Sequence, residues 1–538
     1  MMRERQPISI AELQTILAIF GSTFLALWAL YGVPLQNLSW DPSLYYAHIR
    51  SPLIDGDLDF RNDGLPPSLV ASHTRTGLAP SIWSAGPALV WAPFFLLAHA
   101  ATMAGRAVGL PLLADGYGPF YLLFCALGSA FVGWLGILWC YMIARRISSA
   151  GPALLATTGV WLTSSLFYYM YKNPMMAHAP TVALIGALVY LWLRIADDLD
   201  TLPYWFLLGL LIGLAALMRW QNGLFAVIVP FALHTSRHEP RWGHGTIQRL
   251  SLAAGGALLG FLPQMVVWWR LYGNLLALPQ GGGFLHWFRP EVYLLLLGSN
   301  RGLFVWQPLL LVGCVGLLIF ARQQHRLGIA LILVALLETY LNSIVADWWG
   351  GGGFGARRFD WFLPIAVLGS ALVFEMLWAR RSARAIMWVL LVGLCLFQLA
   401  LAQAHYYRVL PEHQPFPIVD YDTGQPLARD FFAQAVFGSL RDPAFLIETT
   451  PTIWGDAIPP IHTWAEFLRG KPADVQALAT SITAVLALGL ILLASLVITA
   501  FHRSNTMKAL AARSVWRISA VLLAWVLIAS VIFGTTGP

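Results

Sequence analysis

The sequence predicts an all-α polytopic membrane protein, and three observations carry that expectation. Of the 538 residues, 58% are hydrophobic and 11% charged, and the mean hydropathy is +0.66, far from the balance of a soluble globular domain. Apolar runs of about 20 residues, the length a helix needs to cross a bilayer, recur along the chain. The basic residues between those runs alternate along the chain, as the positive-inside rule requires of repeated membrane crossings. The net charge of +7 therefore reports orientation, and no nucleic-acid partner is expected.

In chain order the apolar windows fall near 12–34, 82–104, 118–144, 151–170, 177–196, 203–218, 221–236, 250–269, 303–321, 327–345, 360–379, 385–404, 477–501 and 515–534. The first follows "MMRERQ"; its core is too long for a signal peptide and no small-residue cleavage site follows, so it reads as an uncleaved span. Connections carrying Arg145 and Arg146, Arg194, Arg237 to Arg249, Arg322 and Arg326, Arg380 to Arg384 and Arg503 to Arg517 are assigned to the cytoplasm together with Arg3 and Arg5. This puts 35–81, 171–178, 219–222, 271–302, 346–359 and 405–476 on the opposite, extracytoplasmic face.

Alternation fails only between residues 36 and 145, where one of 82–104 and 118–144 must lie in the interface or re-enter; Pro87 and Pro93 in "GPALVWAPFF" mark the former. The expected bundle has about thirteen spans, with the N-terminus inside and the C-terminus outside. Residues 1–404 form a transmembrane module, 405–476 a small extracytoplasmic cap, and 477–538 the last helices. Cys125, Cys140, Cys314 and Cys395 lie in apolar segments, which argues against disulfides and Cys-based metal sites. Basic residues are nearly all Arg, a GC-rich bias, and the expected location is a bacterial inner (plasma) membrane.

Nearly every awkward polar cluster falls on the extracytoplasmic connections, where these groups suggest a functional cavity. The first outer loop holds Asp41, Asp55, Asp57, Asp59 and Asp63 between Trp40 and Gly64. Asp41 before Pro42 reads as a helix N-cap or as a general base. Asp55, Asp57 and Asp59 read as turn residues, with a divalent cation as the alternative. In "ADWWGGGGFGARRFD" (346–360), glycines permit close backbone approach before Arg357 and Arg358, whose planar forks suit phosphate oxygens; pairing with Asp347 or Asp360 is the plainer reading. His178, Arg219, Gln221, Asn222, Arg301, Asp347 and Trp348 complete the substrate-binding candidates, with packing or helix-end roles as alternatives for His178 and the 219–222 set. Glu338 and Glu375 lie within apolar spans and each needs a partner or a proton.

With these residues in view, the chain resembles the GT-C superfamily of integral membrane glycosyltransferases, which includes protein O-mannosyltransferases and the lipid A aminoarabinose transferase. The likeness rests on the acidic loop "DPSLYYAHIRSPLIDGDLD" after the first span, on "GPALVWAPFFLLAH" in place of a "KPPL-YW"-type helix, and on "WWGGGGFGARRF" before a late span. It covers roughly 12–380 and departs in lacking the "KPPL" lysine and in carrying one acid, Asp41, where some relatives have two. The resemblance implies a GT-C-like bundle, a polyprenyl-phosphate-linked sugar as donor, a hydroxyl acceptor (glycan, lipid or protein), Asp41 as catalytic base, and Arg357 and Arg358 at the donor phosphate. It names no certain cofactor. A lipid-linked glycan ligase and a transporter or flippase of lipid-linked glycans stand as alternatives, the last disfavoured by polar groups gathered on one face.

Overall fold

In a computed structural model, described for residues 12–22, 38–197, 201–233 and 243–406 except Leu13, Ser39, His73 and Ser299, the apolar windows become helices and the polar sites mark where those helices break. Of the first window only 14–22 is described as helix. The expected cap beyond Tyr406 and the terminal spans lie outside the described residues.

The main helices are α1 (Trp40–Arg50), α2 (Gly86–Ala107), α3 (Pro119–Arg145), α4 (Ala150–Leu162), α5 (Ser165–Tyr171), α6 (His178–Asp197), α7 (Leu202–Met218), α8 (His244–Tyr272), α9 (Leu309–Gln323), α10 (His325–Ser343), α11 (Leu363–Leu377) and α12 (Arg381–Tyr406). Among the described residues, seven helices are long and apolar enough to cross a membrane, and both contested segments, Gly86–Ala107 and Phe120–Arg145, are among them. Pro93 lies inside α2 without ending it.

Two expected spans are divided for local reasons, and the expected connection at 219–222 is a third break. The window at 151–170 breaks at Thr163 and Ser164, whose side chain accepts from the Leu166 N–H at 3.3 Å and starts α5. The window at 303–321 breaks at Gln307 and Pro308, before α9. After α7 the chain is extended at Arg219 (φ −149°, ψ 118°) and resumes as a 3₁₀-helix, Trp220–Ile228. Each break releases backbone groups and turns side chains away from the helix axis, which a membrane tolerates only where protein or a cavity receives them.

Small residues decide how the helices meet. A Cβ on Gly209 of α7 would come 1.9 Å from the Ala253 carbonyl oxygen of α8, and one on Gly213 would come 2.2 Å from that of Ala257. A Cβ on Gly316 of α9 would likewise meet the Gly369 oxygen of α11 at 1.9 Å. In lipid, where apolar burial gives little drive for association, such close approach supplies the dispersion contacts that hold helices together. Large apolar side chains such as Leu258, Leu259 and Val266 on α8 and Val389, Leu390 and Val392 on α12 remain exposed, as a lipid-facing surface requires.

The connections assigned to the extracytoplasmic side meet one another. Thr76 donates to the Leu271 carbonyl (2.7 Å), Ser84 to Met218 (2.6 Å) and Tyr272 to Ser81 (3.1 Å). The stretches 284–291 and 343–346 are tied by backbone bonds, including His286 N–H to Ile344 O at 2.7 Å and Ala346 N–H to Phe284 O at 2.8 Å. Arg145, from the opposite set of loops, is paired instead with Glu12.

Candidate active site

Where these connections meet, they enclose a cleft of about 770 Å³, counting its open mouth. Its charged lining is Asp41, His178, Arg219, Asp347, Arg357 and Arg358, walled by Tyr45, Trp83, Trp220, Trp268 and Phe284.

Asp41 lies in the first turn of α1. Its Oδ1 accepts from the Trp83 indole N–H at 3.1 Å and its Oδ2 from Arg357 Nη1 at 2.8 Å, so the carboxylate faces the cleft rather than capping its own helix. Burial works to raise this carboxyl, but the Arg357 charge and the two hydrogen bonds outweigh it and hold it below the usual carboxylate range. Tyr45, buried beside Asp41, is pushed up to about 12, chiefly by desolvation, and stays protonated.

The glycine run shapes the other half of this pair. Gly350 adopts φ +81°, and its carbonyl accepts from both Arg357 Nε (3.0 Å) and Nη2 (2.6 Å). A Cβ on Gly353 would come 2.3 Å from Arg357 Nε, so glycine there makes room for the guanidinium. Arg357 and Arg358 open a 3₁₀ turn, Arg357–Phe362, at the head of α11. Arg358 Nη2 donates to Asp347 Oδ1 at 2.6 Å and to its carbonyl at 2.9 Å, the plainer pairing foreseen for it. The Asp41 partnership of Arg357 spans 316 positions of sequence and nothing local predicts it.

Behind the cleft stands an Asp–His pair. Buried Asp360 accepts from His178 Nδ1 at the start of α6, and Arg219 Nη1 lies 3.7 Å from the same carboxylate oxygen. The His178 ring packs against Tyr169 with centroids 4.1 Å apart. Arg219 Nη1 also donates to the Arg357 carbonyl at 3.3 Å, joining the break after α7 to the turn before α11.

The sequence candidates thus divide. Asp41, His178, Arg219, Gln221, Asp347, Arg357 and Arg358 line one cleft. Asn222 is buried with its amide donating to the Ala215 carbonyl of α7, the helix-end alternative. Arg301, buried at φ 60°, donates to the Gly353 carbonyl (2.5 Å) and so supports the glycine loop from behind. Trp348 belongs to the core, edge-on to Trp349. Of the acids in the first outer loop, Asp55, Asp57 and Asp59 each have a nearby side-chain partner. Asp55 pairs with Arg50 at 2.5 Å, Asp57 accepts from Ser51 Oγ at 2.7 Å, and Asp59 pairs with Arg61 at 2.8 Å. Among the described residues, no three His, Cys, Asp or Glu converge as metal ligands would. Asp63, unassigned beyond the turn, pairs with Arg50 at 2.8 Å. Glu338 accepts from Asn342 (3.3 Å), and Glu375 from the Ser149 hydroxyl (2.7 Å).

The sequence reading missed Trp83, Gln264, Gln280 and the Asp360–His178 partnership. Trp83 is one of 24 tryptophans, and Gln264 is a single amide inside an apolar run, so neither carries a local signal.

No family model matches the chain, and no curated protein matches it significantly. Among solved structures it is similar to ArnT from Cupriavidus metallidurans bound to undecaprenyl phosphate, at 14% identity and a TM-score of 0.46, covering 84% of this chain and 80% of that one. It is also similar to the same protein in the apo state, at 14% identity and a TM-score of 0.47, covering 85% and 80%.

Proposed function

We propose that the cleft is the active site of an inverting glycosyltransferase that moves a sugar from a polyprenyl-phosphate donor to a hydroxyl acceptor at the extracytoplasmic face of the membrane. The observation that carries this reading is the Asp41–Arg357 pair, which puts a candidate base and a candidate phosphate ligand 2.8 Å apart within one cleft.

In this reading the donor's phosphate displaces Asp41 and takes up Arg357 Nη1, while the Gly350 carbonyl keeps the guanidinium oriented through Nε and Nη2. The freed Asp41 carboxylate accepts the proton of the acceptor hydroxyl. That oxygen forms its bond to the anomeric carbon as the carbon–oxygen bond to phosphate breaks, and the electron pair leaves with the lipid phosphate. The guanidiniums of Arg357 and Arg358 offset the growing charge from fixed positions. Trp83 holds the base at one oxygen and leaves its remaining lone pairs for the acceptor.

Lipid and glycan mass spectrometry after deletion of the gene tests the reading. A polyprenyl-phosphate sugar should accumulate while that sugar disappears from an envelope glycan. Accumulation of a complete lipid-linked glycan would overturn the proposal in favour of a ligase or flippase.

A further inference from the structure

Two amide side chains in the cleft are half used. Gln264 of α8 is 1% exposed, and its Oε1 accepts from the Ala85 backbone N–H at 2.9 Å. Gln280 donates from Nε2 to the Ile82 carbonyl, also at 2.9 Å. A backbone N–H only donates and a carbonyl only accepts, so these two bonds fix which way round each amide lies. The atoms left over are a donor, Gln264 Nε2, and an acceptor, Gln280 Oε1. Both atoms are buried and have no partner among the described residues, although both residues line the cleft. A buried amide atom without a partner is costly, so such atoms in a cavity wall mark where a polar ligand belongs.

The two anchors, Ile82 and Ala85, are three positions apart, at most about 10 Å along the backbone, so one short stretch of chain holds both amides. A hydroxyl both donates and accepts, so one ring satisfies both amides. Trp83, Trp268 and Phe284 line the same cleft and offer flat apolar faces to the C–H side of such a ring. Neither amide is charged, so the pair itself offers no counter-ion to an ammonium or a carboxylate, and the charged side chains of the cleft, Asp41, Arg219, Asp347, Arg357 and Arg358, are separate from it in the chain.

We infer that Gln264 and Gln280 form a subsite for the transferred sugar and select an uncharged polyhydroxylated ring over an amino sugar or a uronic acid. The inference rests on the glycosyltransferase reading and deepens it.

The test uses the full chain in lipid nanodiscs and measures binding of undecaprenyl phosphate alone, of undecaprenyl-phosphate neutral hexoses and pentoses, and of an undecaprenyl-phosphate amino-pentose. At least one neutral-sugar lipid should bind tighter than the bare lipid and tighter than the amino-sugar lipid. Gln280→Leu should remove about five- to tenfold of that gain while leaving bare-lipid affinity unchanged. Gln264→Glu keeps the acceptor for the Ala85 N–H, loses the free donor, and should shift preference toward the amino-pentose lipid. Equal binding of bare and neutral-sugar lipids, preference for the amino-pentose by the unmodified protein, or neutral-sugar affinity unchanged in both variants would overturn the subsite. Failure to bind bare undecaprenyl phosphate would overturn the glycosyltransferase reading itself.

Discussion

Replacing Asp41 with Asn should move activity and lipid affinity in opposite directions. In the resting cleft, Arg357 Nη1 is held by Asp41 Oδ2 at 2.8 Å, with side chains only 13% and 18% exposed. At an effective dielectric of about 20 the raw attraction over that distance is of order 6 kcal/mol. Desolvation of both groups cancels most of it, leaving the about 1.5–3 kcal/mol typical of a hydrogen bond to a charged group. A phosphate that takes Nη1 must first break this pair, so under the proposed function the pair should weaken binding of bare undecaprenyl phosphate by that amount. Asp41→Asn keeps the side chain's shape and an oxygen for Trp83 while removing the competing charge. Affinity for the bare lipid should rise by about tenfold or more, and transfer should fall by at least about a hundredfold as the base is lost. Equilibrium binding in nanodiscs and single-turnover transfer measure the two. Unchanged or weaker lipid binding would show that the pair does not guard the phosphate site.

Asp360→Asn and His178→Ala should each slow transfer, and the double variant should be no slower than the worse single one, because Asp360 acts by fixing the Nδ1–H tautomer of His178. Additive losses in single-turnover rate would refute the coupling. Burial pushes Asp63 up to about 6 against the opposing Arg50 pair. Its folded state therefore holds the proton more tightly than the unfolded chain, and its stabilising share is full at low pH and fades as pH rises through about 6. Thermal unfolding between about pH 4.5 and 7 should show the wild type losing about 2 kcal/mol relative to Asp63→Asn as pH increases. Parallel curves would refute this.

Apolar runs and basic loops are properties of single segments, which is why the helical architecture is readable from the sequence and why the connections poor in basic residues could be grouped together. Arg357 and Arg358 stood out because a guanidinium pair after a glycine run is unusual at a membrane face. Their partners were not readable in the same way. Asp347, one of the two acids near enough in sequence to suggest themselves for the arginine pair, meets Arg358 across 11 positions, whereas Asp41 reaches Arg357 across 316. Asn222 and Arg301 were flagged for being polar near membrane depth, a criterion met equally by side chains that tie up a helix end or brace a loop from behind. Gln264 shows the converse, since one amide among leucines and glycines gives no sign of which atom it leaves unused.

The glycine contacts have a bearing on movement. Because α7 meets α8, and α9 meets α11, backbone against backbone, neither pair has side chains at these contacts to repack. The first pair carries Gln264 and leads into Arg219, while the second is headed by Arg357, Arg358 and Asp360. Any widening of the cleft to admit a lipid headgroup therefore swings one welded pair against the other, like the two jaws of a vice. Across the gap run the bond from Arg219 to the Arg357 carbonyl and the Arg219–Asp360 approach. Arg219, at the end of α7, thus ties the first pair to the turn that heads the second.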